Sequence, residues 1–408
     1  MSSYDVRPRT RLGHYGRLLT PNALSAARLP LERDLRPRLR RAAQVWAASR
    51  RRGRGRMRAM VAAAGGTPTW QAVTRPVLPG PDGALVRPLA VATCDVDRAL
   101  MTGRSIFPLP LHLGHECVAE VVEVGSEVSV VAVGDRVVVP FQISCGCCTP
   151  CRAGHTASCL AVPPTSMYGF GVAGGAWGGA LADLMAVPFA DAMLVPLPAG
   201  VDPVAAAGVA DNISDCYRQV APHLPGILAA DPEAETLIVG RLDPRHPFTP
   251  SAVLMTALIA RALGGRRISV VDARPVLQQR AEELGFSALD ARRPRTWPVA
   301  PLTVDATGTP GGLRKVLRHT APDGTCSCVW SLHRRVAVPL AAEYVRNVTL
   351  HVGRAHVRAL IPDVLDLMAH GRLTPQVVIS TVASFDDAPA ALREHCGGEA
   401  LKTVLINE

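Results

Sequence analysis

The chain has 408 residues, 48% of them apolar, and a formal net charge of +10. The length exceeds one ordinary core and implies two domains, and the apolar content is enough to bury them, which excludes an intrinsically disordered chain. No apolar run reaches the length of a membrane span, so no membrane role is expected.

The charge is local. Residues 1–56 hold 15 Arg, no Lys and 3 acidic residues, a net of +12, so residues 57–408 carry −2. The folded body is therefore not expected to bind nucleic acid. Residues 1–56, with Arg blocks at Arg36 to Arg41 and Arg50 to Arg56, read as a disordered extension or as sequence upstream of a start near Met57 or Met60. A basic arm touching nucleic acid or acidic lipid is the other reading of that segment.

From Met57 the texture becomes strand-rich. Met57 to Val61, Leu85 to Ala92 and the alternating Cys117 to Val124 read as strands. Gly134 to Val139 reads as a turn and a buried strand, and Gly178 to Asp183 opens a further strand. Between these lies Cys145 to Cys159, where Cys145, Cys148, Cys151 and Cys159 fall at C-x2-C-x2-C-x7-C. Four thiolates in so short a loop suit one tetrahedral Zn2+ in a closed structural site. Five of the eleven cysteines sit here, and no signal peptide precedes them. Metal ligands in a reducing cytoplasm are expected rather than disulfides. Cys147 has no place in the spacing.

Near Pro203 the period switches. Ala205 to Ala221 reads as a helix. Strands at Thr236 to Gly240, Ile268 to Asp272 and Leu302 to Gly308 then alternate with helices at Ser251 to Leu263, Pro275 to Leu284 and Gly311 to Thr320. Such alternation means βαβ units and a parallel sheet. Val348 to Val352 (strand), Ala359 to His370 (helix) and Thr403 to Ile406 (strand) close the chain.

Several ordered motifs together resemble one family. They are Cys94 to Asp97, Gly114-His115-Glu116, Gly134-Asp135-Arg136-Val137, the cysteine cluster and the βαβ region with Val271-Asp272. From Met57 to the end the chain resembles the medium-chain, zinc-dependent alcohol dehydrogenases. The resemblance implies an α/β protein with a GroES-like β-rich catalytic domain (57–205), a Rossmann doubly wound parallel-sheet domain (206–345) and a C-terminal return to the catalytic domain (346–408). It implies a catalytic zinc on Cys94, His115 and Asp211, with Glu116 as an exchangeable ligand or a carboxylate behind the metal. Cys216 is a rival to Asp211 in poorer register. It further implies a structural zinc on the cysteine cluster, so two zinc ions per chain. The activity implied is hydride transfer between a small-molecule alcohol or carbonyl substrate and NAD or NADP, in a cytoplasmic homo-oligomer, a dimer or tetramer.

The chain departs from the family pattern after the strand ending at Gly240. The family places G-x-G-x-x-G there, for the tight turn, the approach of the pyrophosphate and helix packing. Here Gly240 is the only glycine of a longer loop that runs to Val253. In one reading a dinucleotide still binds, with Thr249 capping the next helix, Pro250 opening it, and Arg241 or Arg245 replacing lost backbone contacts. Asp272 then suits the ribose hydroxyls and favours NAD, Arg274 keeps NADP open, and Thr307 and Gly308 complete the cofactor residues. In the other reading the loop fills the phosphate place, leaving a zinc protein without redox activity: a lyase, or a binding or scaffold protein. Val96 stands where relatives carry a hydroxyl that relays the substrate proton, and water, Glu116 or His112 would have to replace it. Asp215 stands where many carry Thr near the nicotinamide.

Overall fold

The structure, a computed structural model, describes residues 43–407 other than 45, 49–50, 64–66, 106, 246–247, 330–335 and 398–399. The strands of the first half are β1 (Arg52–Ala62), β2 (Thr69–Pro76), β3 (Ala84–Ala92), β4 (Leu111–His112), β5 (Glu116–Val124), β6 (Arg136–Val139), β7 (Met185–Val187) and β8 (Val195–Pro196). Those of the second half are β9 (Glu235–Val239), β10 (Arg267–Asp272), β11 (Ser287–Asp290), β12 (Ala300–Asp305), β13 (Thr320–Cys328), β14 (Thr349–Val352), β15 (Thr381–Ser384) and β16 (Thr403–Ile406). They form three sheets. β2-β1-β4 is one, and β15-β16-β3-β5-β6-β8 is the second, with β7 also paired to β3. The third, β11-β10-β9-β12-β13-β14, is parallel throughout.

The parallel sheet follows from its sequence. Leu237, Ile238 and Val239 of β9 are wholly buried, as a strand covered on both faces requires. The helices that cover it include α1 (Asn212–Val220), α2 (Ser251–Ala262), α3 (Pro275–Glu283) and α4 (Pro310–Arg318). In α2 the residues Ser251 to Ala260 are all buried, because the helix is wedged between the sheet and α1. The chain enters at β9, winds out to β11, then crosses back to β12 on the other flank of β9. The carboxyl ends of β9 and β12 therefore border the crevice where such sheets take ligands.

Several expectations are corrected. The extension expected through residue 56 ends earlier. Its last residues are the start of β1, paired from Arg52↔Pro76, because Arg52, Arg54, Arg56 and Arg58 alternate with small residues and Met57. The Trp46 indole also donates to the Gly175 carbonyl at 2.9 Å. The remainder, residues 1–42, lies outside the described residues. The helix expected from Ala205 to Ala221 is broken at Asp211 (φ −152°, ψ −79°), between a 3-10 turn (Ala207–Ala210) and α1. Gly178 to Asp183 is a crossing segment instead of a strand. Its Ala180 and Leu181 amides donate to Gly114 and Leu113, and its Leu181 carbonyl accepts from Met60. The return expected from residue 346 begins after β14, which pairs with β13 as the outer strand of the parallel sheet. β15 and β16 then rejoin the first half through β16–β3.

Candidate metal centre and dinucleotide crevice

Four segments bring the candidate ligands together. Cys94 follows β3, and its amide donates to Asp97 Oδ2 at 2.7 Å, which fixes the turn. His115 and Glu116 open β5. Gly114 before them has φ +90°, and a Cβ there would lie 2.5 Å from Leu181 N, so the Gly-His-Glu glycine is required by close backbone contact. Asp211 sits at the helix break, held there because the Asn212 amide donates to Glu116 Oε1 at 3.1 Å.

The ligand atoms of Cys94, His115, Glu116 and Asp211 all lie within 4.8 Å of one another, and all four residues are buried. His115 Nε2 is 3.3 Å from Asp211 Oδ2, and Nδ1 is 3.7 Å from Asp97 Oδ1. Among the described residues neither ring nitrogen has a hydrogen-bond partner, although His115 is 1% exposed. A buried imidazole without a hydrogen bond, set among a thiol and carboxylates, fits a zinc ligand, with Asp97 behind the ring to orient it. Cys216, the rival ligand, is absent from the cluster; its Sγ donates to the Ala252 carbonyl instead.

The electrostatics fit a cation as well. Burial lowers the proton affinity of His115, but Asp97, Asp211 and Glu116 outweigh it and hold the ring at about 9. Burial pushes Glu116 up to about 8, with Asp211 adding to it and Lys402 and His115 opposing. Burial and then Asp211, Glu116 and Asp95 push the Cys94 thiol up. A divalent ion reverses that balance, since it favours the deprotonated thiol and carboxylates and the neutral ring. One residue of this site had no signal in the sequence pattern. Lys402, 2% exposed, places Nζ 2.6 Å from Glu116 Oε2 and 2.6 Å from the Thr93 carbonyl. It arrives on the segment leading into β16, next to β3.

The cysteine lobe gathers as the spacing suggests. The ligand atoms of Cys145, Cys148, Cys151 and Cys159 also lie within 4.8 Å of one another. Backbone amides of Cys145 and Ala161 point at Cys159 Sγ (both 3.4 Å), and that of Leu160 at Cys148 Sγ (3.5 Å). Such donors suit thiolates, so the lobe fits a closed zinc site. Cys147 is exposed, with its Sγ 3.6 Å from that of Cys145.

The crevice at the strand ends is filled by the chain's own side chains. Asp272, at the end of β10, is wholly buried. Its Oδ1 accepts from Arg274 N (2.9 Å) and Nε (2.7 Å), and its Oδ2 from Arg274 Nη2 (2.6 Å) and Arg241 N (2.8 Å). Arg274 also donates to the Phe248 carbonyl at 2.7 Å. Gly240 is needed by this arrangement, because a Cβ there would lie 2.2 Å from Asp272 Oδ2. Thr307 and Gly308 follow β12, and the Arg241 guanidinium lies against Gly308, 2.1 Å from where a Cβ would stand. Arg241 also stacks on Phe248, at 4.8 Å from the ring centre. Arg245 instead pairs with Asp243 at 3.2 Å on the surface.

Thr249 does not cap α2 as expected. The helix starts at Ser251 after Pro250, and Thr249 Oγ1 donates to Asp95 Oδ1 at 3.1 Å. Asp95 caps α2 instead. Its Oδ1 also accepts from Ser251 Oγ, and its Oδ2 from the Ala252 amide at 3.2 Å. At the far strand end Asp215 accepts from Arg218 Nε (3.0 Å), and Arg218 Nη2 donates to the Cys328 carbonyl (3.2 Å). As folded, these contacts do not fit a dinucleotide laid along the strand ends in the ordinary way.

Known proteins place the chain. Residues 80–199 match the alcohol dehydrogenase GroES-like domain. The chain is 31% identical over 335 residues to the probable zinc-binding alcohol dehydrogenase Rv1895 of Mycobacterium tuberculosis, covering 81% of this chain and 83% of that protein. It is 31% identical over 350 residues to geraniol dehydrogenase of Castellaniella defragrans, covering 81% and 92%. Among solved structures it is similar to alcohol dehydrogenase TADH from Thermus sp. ATN1 (TM-score 0.76, 30% identity), covering 86% of this chain and all of that one. Relatives that are dehydrogenases over most of their length do not favour the reading without redox activity. No helix among the described residues is long and apolar enough to cross a membrane. Its ordered motifs, its GroES-like and Rossmann-like architecture and its full-length relatives show that the protein belongs to the zinc-dependent alcohol dehydrogenases of the medium-chain family, hydride-transferring oxidoreductases that use zinc and a nicotinamide cofactor.

Proposed function

We propose that Cys94, His115 and Asp211 hold a catalytic zinc, with Glu116 as the carboxylate behind it, and that Cys145, Cys148, Cys151 and Cys159 hold a structural one. The observation that carries this reading is the buried His115 ring, neither nitrogen of which is hydrogen-bonded among the described residues, set among three other donor groups. When bound, such an ion acts as a Lewis acid on an alcohol or carbonyl oxygen. The chain's own part is positioning. Asp97 orients the imidazole, and Lys402 and the Asn212 amide hold Glu116. Phe141 and Phe170 flank His115, with ring centres 5.9 and 4.8 Å away, and Phe107 packs on Phe170 at 4.7 Å. These aromatic walls favour an apolar alcohol or aldehyde. Val96 contributes no hydroxyl.

NAD(H) is favoured over NADP(H). Arg274, the cation placed to meet a 2′-phosphate, is held by Asp272 and the Phe248 carbonyl. In this reading the catalytic unit comprises 52–205 and the segment after β14, and the cofactor unit 206–352. We assign the assembly as a homo-oligomer through the outer edge of the parallel sheet, where Leu350 and Val352 of β14 and nearby Tyr344 and Val345 are exposed. An exposed apolar strand edge invites pairing with a second copy. Light scattering is expected to give a dimer or tetramer, and Val352→Lys to shift it toward monomer. A monomeric parent would refute this assembly.

The central test couples metal analysis to a nicotinamide assay. The full chain is expected to hold two zinc equivalents and to oxidise apolar primary alcohols with NAD more efficiently than with NADP. Cys148→Ser is expected to lose one equivalent and to lower the thermal midpoint, while the other zinc stays. Loss of both ions on that single change, or none, would contradict two separate sites. A higher kcat/KM with NADP would overturn the cofactor preference.

A further inference from the structure

The helix after the first strand of a doubly wound sheet normally receives the dinucleotide's phosphates at its N-terminus, where free amides and the helix dipole favour an anion. In this chain that helix is α2, and an anion is already there. The Asp95 carboxylate, 2% exposed, accepts from Thr249 Oγ1, Ser251 Oγ and the Ala252 amide, and the Asp95 carbonyl accepts from the Thr249 amide at 3.1 Å. Thr249 and Ser251 are themselves buried. A second observation points to a missing anionic ligand in the same crevice. Arg241 is 2% exposed, yet its Nη1 has no hydrogen-bond partner among the described residues. A buried guanidinium nitrogen left unpaired carries a free-energy cost that an anion would remove.

Resting on the nicotinamide-dependent reading above, we infer that Asp95 is a built-in occupant of the phosphate place, which a dinucleotide pyrophosphate must displace to bind. The pyrophosphate would then inherit the Thr249, Ser251 and Ala252 donors and engage Arg241. Asp95 thereby sets cofactor affinity, and the long glycine-poor loop that runs to Val253 carries all three of its donor residues.

The test uses the zinc-loaded full chain. NADH and NADPH are titrated by nucleotide fluorescence against the parent, Asp95→Asn and Asp95→Ser, two neutral replacements that each keep a capping acceptor. Inorganic pyrophosphate is titrated in parallel by calorimetry. Removing a buried like charge from a phosphate site is expected to tighten dinucleotide binding by about tenfold or more. Arg241→Met should weaken it in either background. Equal dissociation constants for dinucleotide and pyrophosphate in the parent and both neutral variants would overturn the inference, as would weaker binding in the variants at an unchanged melting temperature. If no form binds dinucleotide but the neutral variants gain pyrophosphate, the phosphate-place inference stands and the nicotinamide reading falls.

Discussion

Cys94→Ala is expected to lower kcat/KM for alcohol oxidation by about a thousandfold or more, with one zinc equivalent lost and the fold retained. The magnitude follows from the Lewis acid, which supplies several kcal/mol of charge stabilisation, each ~1.4 kcal/mol being a factor of ten in rate. The fold should survive because Cys94 is a small buried residue whose loop is fixed through backbone groups. Its amide is held by Asp97, and the preceding Thr93 amide donates to the Thr403 carbonyl at 2.8 Å. Asp211→Asn should fall in the same direction with a smaller loss, since the amide keeps one oxygen for the metal and gives up the charge. Steady-state kinetics with metal analysis on the same samples decide the matter. Full activity in Cys94→Ala without its zinc equivalent would sink the metal mechanism.

Lys402→Met is expected to destabilise the chain by about 3–5 kcal/mol, the usual cost of leaving one member of a buried ion pair without its partner. Lys402 Nζ lies 2.6 Å from Glu116 Oε2, and both side chains are almost wholly buried. The loss therefore leaves a carboxylate in the core beside Asp211 and Cys94. The double variant Lys402→Met with Glu116→Gln should recover much of that loss, because it removes both charges together. Urea unfolding of the four proteins gives the coupling. Additive losses in the double variant would show that Lys402 acts by packing alone. Glu116→Gln should also disturb the break at Asp211, because the Asn212 amide rests on Glu116 Oε1. Zinc retention is thus expected to fall along with stability in that variant.

The loss of glycines after Gly240 is visible in the letters, and it admits a dinucleotide held by other groups or a filled phosphate place. The letters do not say what takes the empty space. In the folded chain Gly240 is still required, but for an intramolecular reason. It lets the Asp272 carboxylate pack against the turn while Arg274 and the Arg241 amide hold it. By position Thr249 reads as a helix cap. The residue that caps α2 comes from 156 positions earlier in the chain.

The sequence by itself determined the features whose chemistry is local. The cysteine lobe needs only four thiols in one short loop. The parallel sheet needs only continuous apolar strands alternating with helices. Each depends on neighbours along the chain, so spacing and residue type suffice. Tertiary structure alone decided the rest: Lys402 on Glu116 and on Thr93, a contact across 309 positions, Asp97 behind the His115 ring, and Asp95 on the N-terminus of α2. Those contacts join segments that meet only when the sheets pack. Whether a charge there is paired, displaced or left for a ligand is set by which groups packing brings within a few ångströms, and no pattern along the chain encodes that distance.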